Sequence, residues 1–108
     1  MNKELLVSKL KAIKLKTVKA KMIIEAIETG TSERGNHSMW CTGNEITMWY
    51  RGTPIITVYL SISELGVTYL ITNLYAGEYD RTPATIRQRK DFETSVNEIV
   101  SDAMLWTL

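Results

Sequence analysis

The chain of 108 residues has one cysteine, one histidine and one phenylalanine, and each scarcity closes off a class of function. A lone Cys41 cannot form an internal disulfide, which fits a reducing, cytoplasmic setting. One Cys and one His fall short of the usual zinc ligand set, so no metal site is expected. Nucleophilic catalysis would need Cys41 or a serine beside a base, and His37 is the sole imidazole. Those two lie four positions apart in an expected strand, on one side of it but about 13 Å apart, too far for a hydrogen bond. No Walker loop and no Gly-x-Gly-x-x-Gly occurs, and no acid sits in an apolar setting that would raise its pKa. No catalytic residue and no cofactor is therefore assigned. No apolar run approaches the roughly 20 residues that span a bilayer, and no apolar stretch follows the first lysines as in a signal peptide.

What is present is ordinary in amount and uneven in placement. The composition is 44% hydrophobic and 23% charged, that of a globular domain large enough to bury a core. Residues 1–22 carry seven lysines and one acid, a balance of +6, whereas residues 23–108 carry six basic and eleven acidic residues, a balance of −5. The near-neutral total hides a basic arm on a mildly acidic body. Such asymmetry suggests either a contact surface for something anionic or an arm that docks on its own body.

Periodicity divides the chain into three parts. Leu6, Leu10, Ile13, Thr17, Ala20, Ile24 and Ile27 recur at alternating spacings of four and three, the stripe of a helix that stops at Gly30. The helix is either continuous or broken near residues 14–17, where the pattern also reads as alternating. Residues 31–36 read as a loop by composition. From His37 the period changes to two. Residues 37–42, 46–50, 55–60 and 67–72 are four expected strands, separated by Gly43-Asn44, Gly52-Thr53-Pro54 and Gly66. Thr82-Pro83 starts a final helix, with threonine as cap and proline at the first turn, whose apolar stripe is Phe92, Val96, Ile99 and Ala103. The expectation is one α+β domain over residues 1–108: an N-terminal helix, a four-stranded antiparallel meander, and a C-terminal helix packed on one sheet face.

Three segments of this chain carry a family resemblance. Gly35-Asn36-His37-Ser38-Met39-Trp40, Trp49-Tyr50-Arg51-Gly52-Thr53-Pro54-Ile55 and Ile71-Thr72-Asn73 resemble the successive strands of a group of small bacteriophage-encoded proteins. Gly77-Glu78-Tyr79 and Thr82-Pro83-Ala84-Thr85-Ile86-Arg87-Gln88-Arg89 are similar to that group's Gly-Gly-aromatic turn and Thr-rich helix start. The likeness covers about residues 35–92. It departs from the group at Glu78, where a second glycine is usual, and at the inserted Asp80-Arg81. The group has no assigned activity, so the resemblance implies phage origin rather than chemistry.

Two binding surfaces follow from the residues. Lys9, Lys11, Lys14, Lys16, Lys19 and Lys21 on the first helix, with Arg81, Thr82, Thr85, Arg87, Arg89 and Lys90 around the second helix start, form a candidate anion or nucleic-acid site. Solvated lysines on an amphipathic helix are the plainer reading of the first group. Trp40, Trp49, Tyr50 and Trp106 form a candidate protein-binding set, because large residues lie on both faces of the sheet and helices can cover only one. A homodimer burying the uncovered face is the alternative there. With the phage origin that the resemblance implies, these features lead to the expectation of a cytoplasmic, non-enzymatic phage accessory protein. It would bind a host protein, such as a nucleic-acid-targeting defence complex, in an anti-CRISPR-like manner. The alternative is a small DNA- or RNA-binding protein using the lysine arm and the arginine-rich helix start.

Overall fold

The computed structural model of the chain describes residues 4, 7, 8, 11, 15–63, 66–75 and 77–107, with the backbone alone at 62, 63, 79 and 103–107. It is an α+β fold. Helix α1 (Val18–Thr29) leads into five antiparallel strands, β1 (Thr31–Arg34), β2 (His37–Thr42), β3 (Glu45–Tyr50), β4 (Thr53–Ser63) and β5 (Gly66–Asn73). A 3-10 turn (Glu78–Arg81) then precedes helix α2 (Pro83–Thr107). The sheet order follows the chain, so every connection within it is a hairpin. No described helix is long and apolar enough to cross a membrane.

The four expected strands become five. Residues 31–34 are not loop but strand, pairing Thr31 with Trp40 and Arg34 with His37 across a two-residue turn at Gly35-Asn36. Their polar sequence hid them, because an edge strand with a single buried side chain, Ser32, shows no apolar alternation. The remaining strands fall where the period of two puts them, with β4 longer at both ends. A bulge at Met48/Trp49 leaves Ile55 without a cross-strand partner in β3. Gly30 ends α1 in the left-handed region at φ 96°, its N–H donating to Ala26 O at 2.7 Å.

The first helical stripe is interrupted. Residues 15–17 are not helical, and Thr17 is the N-cap of α1, its Oγ1 accepting from Ala20 N–H at 3.2 Å. Glu4, Val7, Ser8 and Lys11 are helical, while Leu6, Leu10 and Ile13 lie outside the described residues. The break has a partner. Glu98 of α2 accepts from the backbone N–H of Lys16, from Thr17 N–H at 3.3 Å and from the Thr17 hydroxyl at 2.8 Å.

Both helices lie on one face of the sheet, α1 over β1 to β3 and α2 over β3 to β5. Ala20, Ile23, Ile24 and Ile27 of α1 and Phe92, Val96 and Ile99 of α2 are buried there against Met39, Ile46, Met48, Ile56, Val58 and Leu60. Among the described residues, segregating these two helices on one side leaves the other face of the sheet without a layer.

Candidate functional site

The uncovered face is built by the alternation that builds the core. On β2 and β3, Met39, Ile46, Met48 and Tyr50 point toward the helices, so Trp40, Glu45, Thr47 and Trp49 point away. The register sets Trp40 beside Thr47, Thr47 beside Thr57, and Glu45 beside Tyr59, which in turn pairs with Leu70. Trp40 and Trp49 meet diagonally, ring centroids 6.3 Å apart at 47°. Trp40 is 52% exposed, Tyr59 43% and Leu70 62%. Between them the Thr47 and Thr57 hydroxyls lie 3.1 Å apart, and Thr57 donates to Ile46 O. The result is a tryptophan pair and a Tyr-Leu pair separated by threonines whose hydroxyls are bonded to one another and to Ile46 O.

The expected protein-binding set is only partly assembled on this surface. Trp40 and Trp49 share it. Tyr50 does not: it is 6% exposed on the helix side, its ring stacked on His37 at 5.7 Å with the Arg51 guanidinium 5.3 Å from its centroid. The Trp106 side chain lies outside the described residues. Tyr59 and Leu70 complete the surface. Their signal was the same alternation extended from β3 through β4 to β5.

The basic candidates divide more sharply. Lys9 and Lys14 lie outside the described residues. Lys11 pairs with Glu28 at 2.8 Å, and Lys19, largely covered, stands 3.6 Å from Asp91. Lys16 and Lys21 are exposed. Lys11 and Lys19 thus spend their charge on the acidic body.

Around the second helix start, Thr82 caps α2, its Oγ1 accepting from Thr85 N–H at 3.2 Å and donating to Thr85 Oγ1 at 2.8 Å. Thr85 is fully buried. Arg89 is 7% exposed and consumed internally. It donates through Nε to Ile55 O at 3.0 Å, through Nη1 to Asp80 O at 2.9 Å, and through Nη2 to Asp80 Oδ1 at 2.8 Å and to Leu74 O. The Tyr75 ring lies 4.8 Å from its guanidinium carbon. This clamp ties the bulge residue Ile55, the end of β5 and the 3-10 turn to α2. Its signal in the sequence was spacing, since Thr85 and Arg89 continue the Phe92–Val96–Ile99 stripe toward the N-terminus in steps of four and three. Arg81, Arg87 and Lys90 stay exposed, and Arg81 and Lys90 line one groove with Arg89 and Glu93.

His37 and Cys41 do not assemble a reactive pair. Met39 separates them along β2, the Cys41 thiol donates to Gly43 O at 3.4 Å, and His37 stacks on Tyr50. Burial first, then the Lys19 charge, lowers the His37 pKa below 6.5 despite opposition from Asp91, so the ring favours its neutral form. Among the described residues no group of three or more His, Cys, Asp or Glu side chains converges to hold a metal ion.

No protein-family model matches this chain, and no curated protein or solved structure matches it either.

Proposed function

We propose that the chain is a non-enzymatic binding protein that docks a protein partner on the uncovered sheet face. The observation that carries this reading is the Trp40–Trp49 pair, held on a rigid β-sheet with Tyr59 and Leu70 and covered by neither helix. Tryptophan and tyrosine give large contact area for little lost side-chain entropy, and interface hot spots are enriched in them. The phage origin implied by the resemblance over residues 35–92 makes the partner a host factor, and a nucleic-acid-targeting defence complex is the class we propose. The action would be modulation or inhibition by occupancy.

The comparison that tests this reading uses host extract passed over the immobilised chain and over a Trp40→Ala/Trp49→Ala variant. A host protein held by the first and lost by the second, then shown to bind with purified components, supports it. The single change Trp49→Ala should weaken that complex by ~2 kcal/mol or more, with little dependence on salt. Identical retention by both proteins overturns the reading.

Nucleic-acid binding is the second reading, supported by the exposed Arg81, Arg87 and Lys90 at the start of α2. It requires a complex with mixed-sequence DNA or RNA that dissolves as salt rises. Each lost phosphate contact should lower the slope of log affinity against log salt by about 1.

A further inference from the structure

The two edges of the sheet are protected very differently. β1 is four residues long, and Glu33 and Arg34 are exposed on it. A short, charged strand is a poor template for further pairing. β5 is eight residues long, Gly-Val-Thr-Tyr-Leu-Ile-Thr-Asn, without a charge or a proline. Its described pairing with β4 is continuous from Gly66 to Asn73, without a bulge to twist the edge away. Tyr69 and Leu70 are 47% and 62% exposed on it. Among the described residues, none of the devices that blunt an edge is present on β5.

The register shows which backbone groups face outward. Leu74 N–H donates to Ile55 O at 2.9 Å, and Leu74 continues the β5 register. Hydrogen-bonded positions alternate along an antiparallel ladder, so Leu70 and Thr72 turn their backbone groups to β4. Val67, Tyr69, Ile71 and Asn73 turn theirs to the open edge. Among the described residues no other backbone segment bonds to them.

The strand is also self-complementary. Read from either end about Leu70, the order is Thr, large apolar, Leu, large apolar, Thr. We propose that β5 is a homodimer interface, pairing antiparallel with β5 of a second copy about a two-fold axis at Leu70. In that register Leu70 meets its own copy, Thr68 meets Thr72, and Tyr69 meets Ile71. The Tyr69–Ile71 and Val67–Asn73 pairs are then the hydrogen-bonded ones, matching the groups that face outward. Thr–Thr and aromatic–β-branched pairs are favourable cross-strand neighbours, and an uncharged strand brings no like charges together. The product is a ten-stranded sheet whose two uncovered faces join into one, with the Leu70 pair at the seam. A second copy is the occupant that this symmetry fits; a foreign strand would have no reason to match it.

Sedimentation equilibrium over a concentration series tests the interface, with a site-directed cross-link fixing the register. The full chain should approach twice its 12.3 kDa mass as concentration rises. Leu70→Lys sets two positive charges against each other on the axis, and Tyr69→Pro removes an outward N–H without touching the β4 ladder. Each should return the protein to monomer with an unchanged far-ultraviolet circular dichroism spectrum. In a Cys41→Ser background, Leu70→Cys should oxidise to a covalent dimer, because unbonded antiparallel partners lie about 4.5 Å apart at Cα. Thr47→Cys in the same background, central on the uncovered face, should not. A monomer at every concentration overturns the proposal. So does a dimer that survives both edge variants, or one that cross-links through position 47 and not 70, which would be a face-to-face dimer.

Discussion

Arg89 enters the core because its helix position leaves it no alternative: it continues the buried stripe of α2, four residues after Thr85 and three before Phe92. A guanidinium there must be matched donor by donor, and three backbone carbonyls with the Asp80 carboxylate do so. Arg89→Ala removes the charged partner of the buried Asp80 carboxylate and the side-chain donors to the Asp80 and Leu74 carbonyls, and should destabilise the fold by about 3–5 kcal/mol in urea titration. Arg87→Ala, two positions away and exposed, should stay within about 0.5 kcal/mol. Two other residues contribute to the acid sensitivity. Burial pushes the Glu98 carboxyl up, but the hydrogen bonds from Lys16 and Thr17 outweigh it and leave its pKa below 4.5. Its contribution is therefore present above that pH and lost as pH falls through the lower folded value. His37 titrates below 6.5, so the unfolded chain takes up its proton first and stability begins to fall as pH drops through about 6.5. Urea midpoints across pH should show both limbs. His37→Phe should remove the upper one and Glu98→Gln the lower.

At the scale of elements, the joint at residues 15–17 does more than interrupt a helix. Thr17 caps α1 and, through Ser95 and Glu98, ties that cap to the middle of α2. Thr17→Ala removes the cap and one arm of the Glu98 cluster together, and should cost about 1–2 kcal/mol by thermal or urea unfolding. Thr17→Ser, which keeps the hydroxyl, should recover most of it. Element type was legible along most of the chain, because period in apolar residues follows backbone geometry directly. The C-terminal helix starts at Pro83, as its Thr-Pro signal requires, and β2 spans 37–42 as alternation requires. β1 was not legible from composition. Its signal was the Gly35-Asn36 pair, a two-residue hairpin turn of the same kind as Gly43-Asn44.

For the whole molecule, the arrangement of layers decides what each residue does. Met48 and Trp49 are neighbours on β3, yet one faces the two helices and the other the uncovered side. Met48→Ala should cost about 2–5 kcal/mol, while Trp40→Ser on the uncovered face should cost no more than about 1 kcal/mol. Parallel urea titrations of the two variants check that the tryptophan face is a surface rather than a second core. The lysine arm follows the same logic. Lys11 and Lys19 answer Glu28 and Asp91. Part of the charge asymmetry is thereby used within the fold, the second of the two meanings that the sequence allowed.

Local order, then, was already contained in the amino-acid sequence: the α+β class, the two helices, the strands from residue 37 onward and the division of each strand into two faces. These follow from nearest-neighbour geometry, a repeat of 3.6 or of 2, with caps and turns that act within a few residues. Which face of the sheet is covered, which cations are spent internally and which edge is left open were decided by tertiary structure. Alternation labels two faces without ranking them, and a charge in the sequence carries no record of the carbonyls it will meet. Only the docking of α1 and α2 on one side made Met48 core and Trp49 surface. Only the approach of the turn at Asp80 made Arg89 a clamp rather than an anion site.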